Sequence, residues 1–411
     1  MSTLAFALGI AAMFATLCAT IRLRHPAELA FAYMMIGWMA GELAVFNICL
    51  QATAIALLAW AGALDTPLGV VGEAALAISI IGLIRAQIVA GTAAGAFERG
   101  LADGLGEQSR DTASPPRRSQ AWRPFHFDHS GIEVVRDVPY CGPSTRNLLD
   151  VYRTAGTKEG DDLPVIIYVH GGAWTIGDKA QQGKPMLLHL ARRGFVGVSV
   201  NYRLAPKDRW PAQIVDVKRA IAWVREHIAD YGGDPSFIAI SGSSAGGHLS
   251  MLAALTPGDA RFQPGFEHAD TGVDACVPIY APFDLTDSAG LRGRAAMRRF
   301  LEQRVFTTRL ADDRHGWRNA SPLFRVNPVA PPTFVIQGRL DELVWVEETR
   351  AFVAALSARS TSPVVFVEVP GAQHAFEVFN SVRSREAVDS IARFLVVIAS
   401  RQSASRRTAS S

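Results

Sequence analysis

The chain has 411 residues, four cysteines and a formal net charge of +3, so it is long enough for one large domain with an additional segment. So small a charge gives no indication of general nucleic-acid binding. Four cysteines with neither metal-ligand spacing nor a paired framework do not require an oxidising compartment. The mean hydropathy is positive, +0.15, and the excess of apolar residues lies almost entirely in the first quarter.

Three apolar stretches occupy that first quarter, at residues 4–21, 29–64 and 68–94. A helix needs about 20 apolar residues to cross a bilayer, so residues 1–97 are predicted to form a transmembrane helical anchor. The second stretch is too long for one upright helix. It permits a tilted helix, a span preceded by an interfacial segment, or a pair of helices. The alternative is a set of buried helices in a soluble protein.

Arginines flank the apolar region, while the turn at residues 65–67 carries no Lys or Arg. Three spans with the N-terminus outside would place both basic flanks, and the domain that follows, in the cytoplasm. Residues 98–124 are rich in Gly, Arg, Ser and Pro and predict a flexible linker, either solvated or resting on anionic headgroups. The flanking arginines are Arg22, Arg24, Arg99, Arg110, Arg117 and Arg118.

From residue 125 to residue 400, short apolar runs alternate with amphipathic helical patterns. This alternation predicts an α/β domain with a doubly wound, mostly parallel sheet and functional side chains at the carboxyl ends of its strands. The predicted strands are residues 132–138, 148–153, 164–170, 196–201, 237–240, 273–279, 333–337 and 364–369, and the predicted helices are residues 184–193 and 212–231.

The sequence FIAISGSSAGGHL, at residues 237–249, contains the pattern G-x-S-x-G between a predicted strand and a predicted helix. In that context the serine of the pattern, Ser244, is expected on a strained turn with its hydroxyl exposed. Gly242 and Gly246 leave room for the strand and the helix to approach each other closely. The alternative is a Gly/Ser-rich loop that caps a helix.

Candidate partners of Ser244 follow two later strands: Asp341 after residues 333–337, and His374 after residues 364–369. A serine hydroxyl needs an imidazole to take its proton and a carboxylate to orient that imidazole. Glu342 competes with Asp341, which is favoured by its position relative to the strand. His248, on the helix after Ser244, is expected to have a packing role or a role at the helix surface.

The segment His170-Gly171-Gly172 follows another predicted strand. Its glycines suggest an oxyanion hole, in which backbone N–H groups meet the negative charge of a tetrahedral intermediate. The predicted donors are the N–H groups of Gly171, Gly172 and Ala245, with His170 bracing the loop. The alternative is a Gly-rich turn without a catalytic role. No metal site is predicted.

Residues 148–395 resemble the esterase/lipase group of α/β-hydrolases that includes hormone-sensitive-lipase-like and feruloyl-esterase-like enzymes. With its apolar N-terminus, the chain is also similar to membrane-associated actinobacterial lipase/esterase proteins. The resemblance implies hydrolysis of a small-molecule or lipid-like acyl ester through an acyl-enzyme, without metal or organic cofactor. The segments that carry it are HGGAWTIGDK, VNYRLAP, PAQIVDVKRAIAWVREHIADYGGDP, ISGSSAGGHL, QGRLDELV and PGAQHAFE.

Two departures from the group's pattern keep other functions open. Ala173 stands where the HGGG form has its third glycine, and Ser243 stands where an acidic residue often precedes the nucleophile. The first alternative is an arylformamidase-like enzyme acting on an amide or formamide. The second is a catalytically silent hydrolase-fold domain that serves as a binding module.

Two further segments complete the prediction. Residues 284–326 interrupt the sheet pattern and are expected to form a small helical cap. Within it, residues 290–307 predict one amphipathic helix whose polar face either is solvated or contacts anionic lipid. Residues 401–411 are expected to be disordered. The arginines of the polar face are Arg292, Arg294, Arg298, Arg299 and Arg304.

Overall fold

The computed structural model describes residues 1–22, 27–106, 123–291 and 295–410, and a single eight-stranded sheet is central to the part that it describes. The strands are β1 (Ile132–Pro139), β2 (Leu148–Thr154), β3 (Leu163–Val169), β4 (Val196–Val200), β5 (Gly233–Ser243), β6 (Ala275–Ile279), β7 (Thr333–Gly338) and β8 (Val364–Val369). Their order is β1-β2-β4-β3-β5-β6-β7-β8. β2 runs antiparallel to both of its neighbours, and the other pairs are parallel. The predicted α/β-hydrolase class is confirmed.

Helices cover both faces of this sheet because the central strands are apolar on both sides. In β3, Val165 and Ile167 belong to one core cluster, whereas Ile166 and Tyr168 belong to the other; this is the alternation that a strand imposes. The helices of the first face are α7 (Ala212–His227), α8 (Ala245–Leu255) and α11 (Val346–Ser357). Those of the second are α5 (Ala93–Leu105), α6 (Lys184–Ala191) and α12 (Val382–Ser410).

Helix α5 corrects the predicted linker, because residues 98–105 are helical and pack on β8. Phe97 and Leu101 point into the core. A Cβ on Gly100 would lie 2.8 Å from a carbonyl oxygen of β8, and one on Gly104 would lie 3.0 Å from another. These glycines therefore permit close helix–strand contact rather than flexibility. Residues 107–122 of the predicted linker lie outside the described residues.

The C-terminal segment is also helical, against the expectation of a disordered tail. Helix α12 continues to Ser410. Arg401 donates to the Leu105 carbonyl at 2.8 Å, and Gln402 donates to Asp274 Oδ1 at 2.6 Å. These contacts with α5 and with the residue before β6 hold the end of α12 in place. The sequence pattern alone shows only that this segment is polar.

The N-terminal helices form a bundle that we call the apolar bundle, residues 2–91. It consists of α1 (Ser2–Thr20), α2 (Ala30–Glu42), α3 (Ala44–Trp60) and α4 (Pro67–Gly91). Two helical segments are long and apolar enough to span a membrane. One is α1, and the other is the run Pro67–Leu105, which joins α4 and α5. The pair α2 and α3 is bent by 84° and gives a third span if it is counted as one. The second predicted stretch is therefore a sharply bent pair.

The apolar bundle exposes large apolar side chains to an extent not found elsewhere in the described residues. All but three of the exposed large hydrophobic residues lie within the first 88 positions; the exceptions are Phe125, Ile176 and Val329. An apolar surface of this size requires an apolar environment or partner.

The predicted cap, residues 284–326, is present as an insertion between β6 and β7, but its helix is shorter than expected. Helix α9 (Ala295–Phe300) continues as a π-helical turn, Leu301–Val305, and α10 (Arg314–Asn319) follows. The wider turn forms because the Phe306 N–H bonds to the Leu301 carbonyl. Phe306 then stacks on Trp317, with ring centroids 4.1 Å apart. Arg292 and Arg294 lie outside the described residues.

Candidate active site

Ser244 lies in a tight turn between β5 and α8, with φ 55° and ψ −120°. A non-glycine residue rarely adopts positive φ, and doing so costs about 1–3 kcal/mol. The neighbouring glycines make the turn possible. A Cβ on Gly246 would overlap the Val169 carbonyl, and one on Gly242 would lie 2.5 Å from the Gly246 carbonyl oxygen. The strained strand–turn–helix predicted around Ser244 is thus present.

The two predicted partners of Ser244 contact each other. His374 Nδ1 lies 2.7 Å from Asp341 Oδ2, and both side chains are buried. Asp341 also accepts from Gln337 at 3.0 Å and from the backbone N–H groups of Leu343 and Val344 at 2.8 Å. The carboxylate is therefore fixed from three directions. The residue facing His374 Nδ1 is Asp341, as the strand position predicted, which leaves His374 Nε2 as the nitrogen for a reacting group.

Tyr280, which follows β6, connects these two loops with the turn at Ser244. Its ring centroid is 4.4 Å from that of His374. The N–H of Ser244 donates to the carbonyl of Ile279, the residue before Tyr280, at 2.9 Å. Since β5, β6, β7 and β8 are adjacent and parallel, Ser244, Asp341 and His374 lie at the same edge of the sheet.

The loop after β3 lies against Ser244 but corrects one predicted donor. The Gly171 N–H donates to Gln182 Oε1 at 2.8 Å, so it is already engaged and does not face an oxyanion. The N–H groups of Gly172, Ala173 and Ala245 make no hydrogen bond within the described part of the chain. A Cβ on Gly171 would lie 3.3 Å from Ser244 Cβ, so the loop and Ser244 are in close contact.

Ala173 is a candidate donor that was not predicted from the sequence. Ala173 and Trp174 both have positive φ, 50° and 60°, a conformation uncommon for residues with a side chain. The sequence did contain an indication of this conformation. Ala173 takes the position of the third glycine in HGGG, and glycine adopts positive φ easily. Gln182 gave no signal, since only the folded chain brings it to Gly171.

His170 braces this loop from beneath. Its Nδ1–H donates to the Gly171 carbonyl at 2.7 Å, and its ring stacks on Tyr202 with centroids 4.3 Å apart. The Tyr202 hydroxyl donates to the His170 carbonyl at 2.9 Å. Burial lowers the pKa of His170 to about 4, so the imidazole is neutral at pH 7 and holds the loop by directed hydrogen bonds.

The low pKa of His170 predicts a pH dependence of stability. The unfolded chain takes up this proton near pH 6.5, but the folded chain does so only near pH 4. His170 therefore contributes fully above pH 6.5, and its contribution is lost as the pH falls towards 4. We expect the proton uptake of His170 in the unfolded chain to lower the free energy of unfolding by about 2 kcal/mol as the pH falls from about 7.5 to about 5. Urea unfolding of the full chain and of His170→Asn measures this; equal pH dependence in the two proteins contradicts it.

His248 has the packing role expected of it. It is fully buried, its Nε2 donates to the Ala320 carbonyl at 2.7 Å, and its Nδ1 accepts from Trp174 Nε1 at 3.3 Å. It thereby ties α8 to the cap and to the loop that carries Gly172.

A buried carboxyl group behind Ser244 was also missed. Ser243 Oγ donates to Glu377 Oε1 at 2.6 Å, and the Tyr168 hydroxyl is 2.9 Å from Ser243 Oγ. Burial raises the pKa of Glu377. The departure at Ser243 was the available signal: position 243 lacks a carboxyl group, and Glu377, three residues after His374, brings one to the same place.

Comparison with known proteins finds a family model and esterases to which the chain is similar. The BD-FAE family model matches residues 149–356, from β2 into α11. The chain is 37% identical over 416 residues to the probable carboxylic ester hydrolase LipM of Mycobacterium tuberculosis, covering 97% of this chain and 94% of LipM. It is 46% identical over 272 residues to esterase LipQ of the same organism, covering 66% of this chain and 64% of LipQ, less than two thirds of that relative's length.

Among solved structures, the chain is similar to the propionate-bound esterase Est2 of the planctomycete Thermogutta terrifontis. The TM-score is 0.54 and the identity 26%, and the match covers 66% of this chain and 95% of Est2. A truncated carbohydrate esterase from gut microbiota gives a TM-score of 0.55 at 26% identity, covering 64% of this chain and 96% of that protein.

Proposed function

Because the chain belongs to the BD-FAE family of α/β-hydrolases, we propose that it is a serine carboxylic ester hydrolase that works through an acyl-enzyme intermediate. The observation that carries the proposal is the buried hydrogen bond between His374 and Asp341 at 2.7 Å, at the same sheet edge as the strained turn of Ser244. The names of LipM and LipQ support the ester-hydrolase class.

The proposed reaction assigns one task to each group. Ser244 Oγ attacks the ester carbonyl carbon while His374 Nε2 takes the hydroxyl proton, and Asp341 stabilises the imidazolium. We assign the oxyanion to the N–H groups of Gly172, Ala173 and Ala245. His374 then gives the proton to the leaving alcohol. In the second half, His374 takes a proton from water, the hydroxide attacks the acyl carbon, and the acid leaves as Ser244 regains its proton.

Residues 93–97 of the predicted anchor belong instead to α5, which packs on the sheet. We further propose that the apolar bundle, residues 2–91, anchors the enzyme in a membrane. The extensive apolar surface of the apolar bundle supports this, as does the sharp bend between α2 and α3. In this arrangement α1, α3 and α4 cross the bilayer, and α2 lies along its surface on the side of the catalytic domain. Met1 is then on the opposite side from that domain. The cytoplasmic position of the domain stays a prediction from the flanking arginines.

Labelling with a fluorophosphonate tests the proposed nucleophile. The reagent phosphonylates only a serine activated by a working base, so we expect an adduct on the peptide that contains Ser244 when the full chain is treated in membranes. Ser244→Ala and His374→Ala should both lose it. Ser250→Ala is the matched control, because Ser250 lies on α8 and donates to the Gly246 carbonyl at 2.8 Å; it should label like the wild type. Folded wild-type protein without an adduct at Ser244 would refute the proposal.

A further inference from the structure

The apolar bundle contacts the catalytic domain at the loops that carry Asp341 and His374. The C-terminal end of α1 reaches the segment after Asp341, where Arg22 pairs with Glu347 at 2.9 Å and lies over the ring of Trp345 at 4.9 Å. Helix α4 also reaches the second loop, residues 370–381, since a Cβ on Gly371 would lie 3.0 Å from a methyl group of Val89. The bundle is therefore packed against the candidate active site.

The residue that precedes His374 bonds directly to the bundle. The Gln373 side chain is buried, and its Nε2 donates to the Cys18 carbonyl at the end of α1 at 3.1 Å. Gly37 on α2 leaves the space for this bond: a Cβ there would lie 3.2 Å from Gln373 Nε2 and would overlap the Cys18 carbonyl. A backbone carbonyl of one helix and a glycine of another thus fix the side chain beside His374.

A buried ion pair holds the start of the same loop. Arg383 donates to Glu42 Oε1 at 2.9 Å, with both side chains almost fully buried. The same guanidinium donates to the Pro370 carbonyl at 2.8 Å and contacts the Ala86 carbonyl of α4 at 3.4 Å. A buried arginine that loses its carboxylate partner is strongly destabilised where it lies, so Glu42 keeps Arg383 in position to hold Pro370.

An aromatic contact completes the attachment after His374. Trp38 of α2 stacks on Phe379, with ring centroids 4.6 Å apart and the planes 8° from parallel. The loop is therefore fixed to the bundle at its start, at the residue before His374 and at a residue after it. These contacts come from α1, α2 and α4.

We propose that the apolar bundle positions the catalytic histidine, with Glu42 and Gln373 as the positioning residues. The proposal rests on the proposed function, in which His374 is the base. A displacement of about 1 Å in a catalytic group can lower a rate about a hundredfold. The N-terminal helices are then part of the catalytic apparatus, and ester turnover depends on their correct packing, and hence on the bilayer that surrounds them.

The test uses the full chain in lipid nanodiscs, with p-nitrophenyl acetate as substrate and a fluorophosphonate as active-site probe. We expect Glu42→Met and Gln373→Leu each to lower kcat and the labelling rate constant about tenfold or more, with KM within about twofold of wild type. The labelling endpoint counts folded sites and should stay unchanged. Glu42→Asp should recover much of the rate.

Glu28→Gln is the matched control. Glu28 also joins the N-terminal region to the catalytic domain, through an exposed ion pair with Arg299 of the cap at 2.9 Å. This variant should keep the wild-type kcat and labelling rate constant. Because Gln373→Leu removes no charge, it decides the question if Glu42→Met does not fold.

The outcomes separate this proposal from the proposed function. Wild-type protein without labelling at Ser244 overturns both. Labelled wild type with equally fast variants overturns the positioning role alone. If the labelling endpoint falls in proportion to kcat while the labelling rate constant is unchanged, the variant has lost folded protein. This result also overturns the positioning role. So does a rise in KM with kcat unchanged, which would assign the bundle to substrate binding.

Discussion

Ser244→Ala is expected to lower kcat for a short aryl ester by about 10⁴–10⁶-fold, because the variant lacks the oxygen that forms the acyl-enzyme. The backbone N–H groups around the proposed oxyanion site remain, so some acceleration over water should persist. Alanine and serine share the same Cβ at φ 55°, so we expect the free energy of unfolding to change little. Steady-state kinetics, together with urea unfolding of the full chain, measure both quantities.

Ser244→Gly provides the control for this experiment. Glycine also removes the hydroxyl, but it adopts positive φ without the strain that a Cβ brings. The variant should be as inactive as Ser244→Ala and should unfold at the same or a higher urea concentration. If either variant retained wild-type kcat, Ser244 would not be the nucleophile. If both were inactive and also much less stable, the loss would reflect folding rather than chemistry.

The strands were predictable from the sequence because each one is a short apolar run that can be recognised without knowledge of the rest of the fold. Runs such as residues 164–170 are apolar on both faces, as expected for buried parallel strands. The same rule that places functional groups at the carboxyl ends of strands led to Asp341 and His374. Asp341 and His374 are in contact at 2.7 Å because β7 and β8 are neighbours in the sheet. The order of the strands is largely determined by the alternation of strands and helices and by short connections.

The errors arose where tertiary contacts override local composition. Gly100 and Gly104 suggest a linker by composition, yet they are the positions where α5 approaches the backbone of β8. The polar residues of the C-terminus suggested disorder, yet Arg401 and Gln402 bond to α5 and to Asp274. No local pattern distinguishes a glycine that permits contact from one that permits motion.

The prediction of Gly171 as an oxyanion-hole donor was wrong for a related reason. The sequence identifies backbone N–H groups but not their partners, and the side chain of Gln182, eleven residues away, occupies the N–H of Gly171. The attachment of the apolar bundle to the His374 loop was equally invisible. No local pattern around Glu42 indicates its partner Arg383, which lies 341 residues later in the chain.

The hydrogen bonds of Asp341 lead to the second large expected effect. Its Oδ1 accepts two backbone N–H groups, and its Oδ2 accepts from His374 Nδ1–H and from Gln337. In Asp341→Asn the oxygen would keep the backbone N–H groups, so the new NH₂ group would face His374 and Gln337. His374 Nδ1 would then have to accept, which moves the ring proton to Nε2 and leaves no base for Ser244. We expect kcat to fall by about 10³–10⁴-fold.

Glu342→Gln is the matched control, since it makes the same carboxylate-to-amide change one residue later. Both carboxylates are buried, so loss of a buried charge alone should affect the two variants alike. If Asp341 orients the base, only Asp341→Asn should lose kcat by orders of magnitude, with KM nearly unchanged, while fluorophosphonate labelling at Ser244 slows in parallel. A larger loss in Glu342→Gln would transfer the orienting role to Glu342. Equal losses would indicate that burial of charge, rather than the tautomer of His374, determines the rate.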